Sequence, residues 1–289
     1  MRDLVSLGCD VFVVAQNAGS RQRAAMGGAA AVVNSIAALP EIAGAVVATP
    51  VTTHAAVIEE LLAREIPVFT EKSLTADLAE ADRLAQIAPD RLFVMDKWRY
   101  HPGIEMLAHI ARIQELGPVI GLRTTRVQWG TDHRDVDCTW VLTPHDLSIA
   151  LEILGHVPEP RSAVAERVGA LVTGMTGHLG EPPWHIFEVS IRYAVSQRIV
   201  RLHCRDGVAV LNDSYGDYLE IARASDYYDK TPPVIERRVI STELPLLKEL
   251  RVFVEHLQGG PPPRSSAAEG ALIVRTIAQL RALAGLASY

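Results

Sequence analysis

The sequence is poor in cysteine, in long apolar runs and in clustered positive charge, and each absence excludes a class of protein. Its 289 residues include three cysteines, which are too few and too scattered for a disulfide framework or a zinc knot. No apolar run approaches the roughly 18 residues of a membrane span. The formal net charge is −6 and the basic residues are dispersed, which does not indicate a nucleic-acid surface. We expect a cytoplasmic protein that binds small molecules rather than membranes, nucleic acid or a metal ion.

A strand–helix–strand pattern lies between residues 45 and 75. Two short apolar runs, 45–48 and 66–69, flank a stretch with helical periodicity and end in Thr49-Pro50 and Thr70-Glu71-Lys72. In a parallel sheet the carboxyl ends of the strands form the ligand crevice. The pattern therefore predicts that Lys72 takes part in chemistry, and the alternative is a surface lysine paired with Glu71.

The same alternation extends over the first hundred residues. Further strands are predicted at 10–16, 29–33 and 91–96, with helices between them capped by Ser20 and Thr75. Continuous apolar strands that alternate with helices predict a doubly wound parallel sheet of the Rossmann type, an α/β domain over residues 1–99.

One expected element of such a domain is missing. The sequence contains no G-x-G-x-x-G, the turn that holds a pyrophosphate at a helix N-terminus, and no strand precedes the first helix-like residues. The strands at 10–16 and 45–48 would then face each other across a gap one strand wide, about 9–10 Å. Three explanations are open: a start codon placed too late, a shortened chain, or loss of the strand. The regular remaining pattern favours the first two.

The rhythm changes at about Tyr100. Helices are predicted at 103–116 and 143–154, and strands at 119–129 and in several later runs, among them 163–173. Two helices at 246–257 and 266–286 follow, separated by a Gly- and Pro-rich breaker. These elements predict an α+β domain over residues 100–289, with a mostly antiparallel open sheet, helices on one face, and a last helix that returns to the first domain.

Several of these motifs carry a family likeness. A-T-P at 48–50, His54 and E-K-S-L at 71–74 resemble the T-P-x-x-x-H and E-K-P-L motifs of the Gfo/Idh/MocA oxidoreductases, the glucose-fructose oxidoreductase and inositol dehydrogenase type. R-Y-H-P at 99–102 is similar to the segment where that family leaves its nucleotide domain, and H-D-L at 145–147 resembles its H-D-L helix. The likeness covers nearly the whole chain.

The resemblance implies an NAD(P)-dependent dehydrogenase or reductase acting on a hydroxyl or carbonyl of a sugar, cyclitol or sugar nucleotide. It also implies an open second-domain sheet that pairs subunits, so a homodimer or homotetramer is expected. Three departures stand out. The glycine fingerprint is absent, Ser73 replaces the proline of E-K-P, and Val141 occupies the position of an aspartate often found four residues before the motif histidine.

Lys72 and His145 are the candidate catalytic residues. A partly buried lysine has a lowered pKa and can exchange a proton with a substrate oxygen, and imidazole titrates near neutral pH. With Val141 in place of a carboxylate, Asp146 or Asp137 is left to orient the His145 ring. The alternative for His145 is simple packing at a helix N-terminus.

The candidate substrate residues are Lys97, Arg99, Arg126, Trp129 and His145. Lys97 ends the strand after Lys72, and two neighbouring ammonium groups would lower each other's pKa. Arg99 is interpreted as a hinge or a substrate contact, with a salt bridge as the alternative. Strand periodicity puts Arg126 and Gln128 on one face and Trp129 on the other.

The candidate cofactor residues follow the strand ends of the first domain: Gln16, Asn17, Ser20, Arg21, Thr49, Pro50, His54, Glu71 and Lys72. No acidic residue follows the 10–16 strand to bind the ribose hydroxyls of NAD, whereas Ser20 and Arg21 suit a 2′-phosphate. This favours NADP over NAD weakly, and the alternative is a helix cap with a surface arginine. A catalytically degenerate ligand sensor or interaction protein is the rival function, motivated by Val141 and the missing fingerprint.

Overall fold

In the computed structural model, which describes residues 1–223 and 231–287, the first hundred residues form two separate parallel sheets. One contains β1 (Phe12–Val14) and β2 (Ala31–Val33). The other has the order β3 (Ala45–Val47), β4 (Val68–Glu71), β5 (Leu92–Met95). Among the described residues no strand pair joins the two sheets, which is the arrangement expected when the strand between them is missing.

Four helices accompany these strands: α1 (Arg2–Ser6), α2 (Ala18–Met26), α3 (His54–Leu62) and α4 (Leu78–Ile87). The predicted caps of two of them are wrong. Asn17, not Ser20, caps α2 and accepts the Ser20 N–H at 2.8 Å. Asp77, not Thr75, caps α4, because its carboxylate accepts a hydrogen bond from the Glu80 N–H at 2.8 Å.

A 3₁₀ turn at Lys97–Tyr100 leads from β5 into α5 (Pro102–Arg112) and the second half of the chain. There an eight-stranded sheet has the order β13-β12-β11-β10-β6-β9-β8-β7. All neighbours are antiparallel except β6 and β9. Its strands are β6 (Val119–Trp129), β7 (Pro160–Val168), β8 (Leu171–Leu179), β9 (Trp184–Ser190), β10 (Arg192–Cys204), β11 (Gly207–Leu211), β12 (Tyr218–Arg223) and β13 (Ile235–Val239). The predicted fold class, a parallel nucleotide-type domain followed by a mostly antiparallel open sheet, is confirmed.

Three elements of the second half differ from the prediction. Helix α6 (Cys138–Leu154) begins five residues before Thr143, because Asp137 caps it and Pro144 is accommodated inside the helix. The single strand predicted at 163–173 is a hairpin, β7–β8, whose turn contains Gly169 in the left-handed region (φ +59°). Strand β13 was not predicted, because its polar sequence, I-E-R-R-V, lacks an apolar alternation.

The last two helices bring the chain back to the first domain. Helix α7 (Pro245–Leu257) places Phe253 on Phe69 of β4, with ring centroids 4.9 Å apart. Helix α8 (Ala267–Leu283) packs on α4, β5 and α6, and the Val94 N–H donates to the Ser265 carbonyl at 3.0 Å. One core cluster therefore runs from α3 and α4 through α8 to α6 and the second sheet.

Arg99 ties these returning segments together. Its Nε donates to Glu152 at 3.0 Å, and its Nη1 donates to the Arg264 carbonyl at 2.9 Å and lies 3.1 Å from Glu269. The guanidinium is 9% exposed. Of the two roles considered for Arg99, the structure shows the salt bridge at the junction of the domains.

Large apolar side chains are exposed on several strands of the second sheet: Trp129 (74%), Val164 (70%), Val195 (68%) and Val239 (77%). Tyr215 is also exposed, and Tyr218 lies under Arg237. Across the described part of the chain, every helix is too short or too polar to cross a lipid bilayer.

Candidate active site

A cavity of about 980 Å³ opens where the carboxyl ends of β3, β4 and β5 meet α6 and the second sheet. Six predicted site residues line it: Thr49, Glu71, Lys72, Lys97, Arg126 and His145. The structure places the other eight elsewhere: Gln16, Asn17, Ser20, Arg21, Pro50, His54, Arg99 and Trp129. Lys72 and His145, which are separated by 73 positions in the chain and supplied by different domains, therefore share one cavity.

Lys72 follows the last residue of β4, and its amine is held against the second domain. Nζ donates a hydrogen bond to the Val141 carbonyl at 3.1 Å. Burial lowers the pKa of Lys72 and is the largest influence on it, Glu71 opposes this, and Lys97 and Arg126 lower it further. The predicted effect of Lys97 on Lys72 is thus present, since β4 and β5 are adjacent strands. The amine can give up its proton more readily than an exposed lysine.

Ser73 makes a second bond to the same helix. Its hydroxyl donates to the Trp140 carbonyl at 3.1 Å. Pro144 has no N–H, so it cannot supply the helical hydrogen bond that the Trp140 carbonyl would otherwise receive. Ser73 takes the place of that donor. The departure from E-K-P and the proline inside α6 are therefore complementary, and together they fix the end of β4 to the helix that carries His145.

His145 lines the cavity, and the pKa of its imidazole is lowered. Burial lowers the pKa of His145 well below its ordinary value, and Lys72, Arg126, Lys97 and Arg198 lower it further. Its Nδ1 is buried without a hydrogen-bond partner among the described residues. The ring packs edge-on against Trp98, with centroids 6.5 Å apart. At neutral pH His145 is an uncharged group that can hydrogen-bond a substrate oxygen.

Neither aspartate proposed to orient His145 does so. Asp146 accepts a hydrogen bond from Arg126 Nε at 2.9 Å. Asp137 caps α6 and pairs with Arg281 at 2.7 Å. The ring is instead placed by packing.

Arg126 is the buried cation of the second-domain wall. It is 3% exposed, lies over the Trp98 ring at 4.3 Å, and has its pKa lowered by burial. The substrate contact predicted for Trp129 is not observed, because the last residue of β6 points away from the cavity and its ring is 74% exposed. The predicted alternation is correct, and it puts Arg126 rather than Trp129 on the cavity face.

His54 supports the site from behind. It is fully buried, and its Nδ1 and Nε2 lie 2.9 Å from the carbonyls of Ser73 and Thr49. The ring therefore lies between the turn after β3 and the turn after β4. The cofactor contact of His54 stays a prediction, and the observed contacts of its ring are with these two turns.

The side chains that follow β1 make hydrogen bonds to nearby residues. Arg21 Nη1 donates to the Ala15 carbonyl at 3.0 Å and to Asn34, and its Nη2 donates to the Val32 carbonyl at 3.3 Å. Ser20 accepts a hydrogen bond from Arg23 at 2.9 Å. A 2′-phosphate would have to displace these bonds, so the geometry gives no support to the preference for NADP.

Sequence reasoning missed several residues of the site, of which Trp98, His101, Asp96 and Glu249 matter most. His101 stacks on Trp98 at 5.2 Å, accepts the Gly103 N–H at Nδ1 and donates from Nε2 to the Ser214 carbonyl at 2.8 Å. These bonds fix its tautomer.

Two buried carboxyl groups lie behind the lysines. Burial raises the pKa of Asp96 to about 7 against the opposing effect of Arg99. Burial and the neighbouring Asp96 and Glu71 raise the pKa of Glu249 well above its usual range. Glu249 had a visible signal, because it lies one turn after Leu246 and one turn before Phe253, on the apolar face of α7.

Comparisons with known proteins agree with this architecture. Residues 10–94 match the family model GFO_IDH_MocA, described as an oxidoreductase family with an NAD-binding Rossmann fold. No match was found among the curated proteins.

Three solved structures illustrate the likeness. UDP-N-acetylglucosamine 3-dehydrogenase from Acidithiobacillus ferrooxidans has a TM-score of 0.82 at 22% identity, covering 98% of this chain and 92% of its own. Levoglucosan dehydrogenase in complex with NADH and levoglucosan has a TM-score of 0.81 at 14% identity, covering 96% and 88%. An oxidoreductase from Agrobacterium radiobacter in complex with NAD⁺, L-tartaric acid and magnesium has a TM-score of 0.80 at 17% identity, covering 95% and 88%.

The family model therefore confirms the resemblance to the Gfo/Idh/MocA oxidoreductases for residues 10–94. The solved structures show that the fold of both halves of the chain is shared. In the described residues no group of three or more His, Cys, Asp or Glu side chains is arranged to hold a metal ion.

Proposed function

We propose that this chain is an NAD(P)-dependent oxidoreductase that transfers a hydride between the nicotinamide and a hydroxyl or carbonyl carbon of a sugar, cyclitol or sugar-nucleotide-like substrate. The observation that carries the proposal is the shared cavity of Lys72 and His145 at the carboxyl ends of β3 and β4. Known relatives of the same fold act on UDP-N-acetylglucosamine and bind levoglucosan, which supports a carbohydrate-like substrate.

The residues at the nicotinamide end of the crevice fit the cofactor. Thr49, Glu71 and Lys72 end two adjacent parallel strands, and the His54 ring contacts the carbonyls of both turns. The nicotinamide, when bound, supplies or accepts the hydride. The sequence has no glycine fingerprint for the pyrophosphate, so these residues account for one end of the cofactor only. NAD and NADP are both compatible with them.

Lys72 is proposed to carry the proton. In the direction of oxidation its amine takes the proton of the substrate hydroxyl, and in the direction of reduction its ammonium returns a proton to the carbonyl oxygen. Burial lowers the pKa of Lys72, which makes its ammonium a better proton donor than that of an exposed lysine. The neutral His145 imidazole hydrogen-bonds the same oxygen and orients it, because its own lowered pKa makes it a weak base.

The direct test is a titration of the purified chain with NADH and NADPH, followed by nicotinamide fluorescence. A panel of sugars, cyclitols and keto-sugars is then assayed for cofactor reduction or oxidation. We expect saturable binding of at least one cofactor, and turnover whose pH profile loses a limb in Lys72→Arg. Absence of binding by both cofactors would contradict the proposal.

A second candidate function is supported by one observation. Val141 supplies no carboxylate, and the His145 Nδ1 remains buried without a described partner. A ligand sensor or interaction protein of the same fold needs no such carboxylate. It predicts ligand binding at the cavity without hydride transfer to any member of the panel.

The exposed apolar side chains of the second sheet support a homodimer or homotetramer formed through that sheet. Sedimentation velocity on the wild type and on Val195→Glu tests this proposal. We expect an oligomer that the glutamate dissociates, whereas a monomeric wild type would contradict it.

A further inference from the structure

The two ends of the cavity differ in charge. At the first-domain end the wall carries the carboxyl groups of Asp3, Glu71 and Glu249. At the sheet end it carries Arg126 and Arg198, and Lys97, which follows β5, also lines the cavity. The hydroxyls of sugars and cyclitols are neutral. A substrate with hydroxyls alone therefore does not explain a pair of guanidinium groups at one end of the cavity.

Arg126 and Arg198 are directly opposite each other on neighbouring strands. They form a cross-strand pair between β6 and β10, and their even-numbered neighbours, Leu122 and Val200, are buried in the core below. Like charges that face each other across a sheet destabilise it unless something of opposite charge lies between or beside them. Asp146 supplies one negative charge to Arg126, at 2.9 Å from its Nε.

The remaining donors of this pair have no acidic partner. Arg126 is 3% exposed, yet its Nη1 and Nη2 make no hydrogen bond to the described residues. The Arg198 guanidinium is half-buried and donates to the neutral Gln128 Oε1 at 2.9 Å, and no described carboxylate lies within ion-pair distance of it. Two guanidinium groups therefore present unused N–H donors to the cavity.

The other carboxyl groups on the cavity wall do not neutralise the pair. Glu243 is bound to Arg251 at 2.6 Å, and Asp132 is exposed to solvent. Glu249 lies at the first-domain end, where burial raises its pKa well above the usual range. Asp3 and Glu71 belong to the first-domain end. An excess of positive charge thus remains at the sheet end, and it also lowers the pKa of His145.

We infer that the sheet end of the cavity binds an oxyanion of the substrate, a carboxylate or a phosphate, through Arg126 and Arg198. Guanidinium groups match the geometry of both oxyanions and bind them with charge-assisted hydrogen bonds. The inference rests on the proposed function and narrows its substrate class to acidic sugars, sugar phosphates or comparable polyol acids. The anion would anchor the substrate while its reacting hydroxyl lies between Lys72 and His145.

The test uses three probes that share one ring: D-glucuronate, D-glucose 6-phosphate and D-glucose. Binding to the full chain is measured by calorimetry at fixed ionic strength, without cofactor. We expect at least one anionic probe to bind about 10- to 100-fold more tightly than glucose, since hydrogen bonds to charged groups contribute about that much. The better of the two anions identifies the oxyanion as carboxylate or phosphate. Equal binding of all three, or no binding of either anion at millimolar concentration, overturns the inference.

The chain offers a matched pair of variants. Arg198→Gln should remove the preference for the anionic probe. Arg201→Gln should retain it, because Arg201 pairs with Arg123 on the opposite face of the same two strands and lies outside the cavity. An equal loss in both variants would show a general electrostatic effect and would overturn the assignment to Arg126 and Arg198.

The outcome is separable from that of the proposed function. Preferential binding of an anionic probe with no cofactor binding would keep the subsite and remove the oxidoreductase. Turnover of neutral polyols with no preference for anions would keep the oxidoreductase and remove the subsite.

Discussion

The two parallel sheets of the first domain differ in the burial of the residues at their carboxyl ends. This difference separates residues that can take part in catalysis from residues that only resemble a site. At the carboxyl end of β3–β4–β5 lie Lys72 and Asp96, both desolvated, with pKa values shifted by burial. At the carboxyl end of β1–β2 lie Gln16, Asn17 and Arg21, which are exposed or bonded to local backbone. Desolvation of a charged group needs a second layer of protein, and of these two sheets it is the three-stranded one on which Phe253 of α7 and helix α8 pack.

The largest effect is expected on turnover, when the lysine at the end of β4 is compared with the arginine that contacts the ends of β1 and β2. Lys72→Met removes the proposed proton carrier, so turnover should fall by about 10³-fold, with cofactor affinity largely retained. Arg21→Met should leave turnover unchanged, because Arg21 contacts the ends of β1 and β2 and not the cavity. Steady-state kinetics and cofactor titration of both variants measure the contrast. Retained turnover in Lys72→Met would remove Lys72 from the mechanism.

A pair of phenylalanines compares the packing of the two sheets. Phe69→Ala on β4 should lower the free energy of unfolding by about 3–5 kcal/mol, because Phe69 is fully buried against Phe253. Phe12→Ala on β1 should cost roughly 1–2 kcal/mol, because Phe12 is only partly buried. Urea denaturation measures both changes. Equal losses would contradict the claim that the two sheets differ in packing.

Asp96 should give the protein a pH-dependent stability that β1–β2 cannot supply. Its pKa is about 7 in the folded protein and 3.8 without the fold, so between these values the folded state binds the extra proton. Its stabilising contribution is complete below pH 3.8 and is lost as pH rises through about 7. We expect Asp96→Asn to remove this fall in the free energy of unfolding, measured by denaturation across the pH range. An unchanged slope would show that Asp96 is not the titrating group.

The smallest effect concerns two serines. Ser73→Ala leaves the Trp140 carbonyl without the donor that replaces the missing N–H of Pro144, and should cost about 1–2 kcal/mol. Ser20→Ala changes a surface bond to Arg23 and should stay within about 0.5 kcal/mol. Thermal unfolding of both variants provides the measurement. A neutral Ser73→Ala would show that water satisfies the Trp140 carbonyl equally well.

Local sequence patterns predicted the strand ends of the first domain, because continuous apolar runs that stop at polar residues are set by burial of the strand itself. Lys72 was predicted from the end of its strand and His145 from the H-D-L motif, and the structure brings both to one cavity. The salt bridge of Arg99 was only an alternative, and the burial of Asp96 was not predicted, because both residues depend on partners far along the chain. Arg99 binds the carbonyl of Arg264, 165 positions away. Burial of Asp96 depends on α7 and α8, whose docking no local pattern reveals.

Trp129 and Pro144 show two limits of periodicity. Alternation separated Trp129 from Arg126 correctly, but it could not say which face meets the cavity, since that depends on α6 and the first domain. Pro144 suggested a helix start, whereas the helix continues through it because Ser73 supplies a donor from another domain. A local breaker was thus compensated by a residue 71 positions earlier.

The return of α8 to β5 means that the chain crosses between the halves more than once. Residues 1–99 expressed alone would expose Val94 and Leu84 to water and leave the Val94 N–H without its Ser265 partner. Fragments cut at the sequence boundary should therefore be insoluble, and chimaeras with related chains must exchange residues 264–287 together with the first hundred.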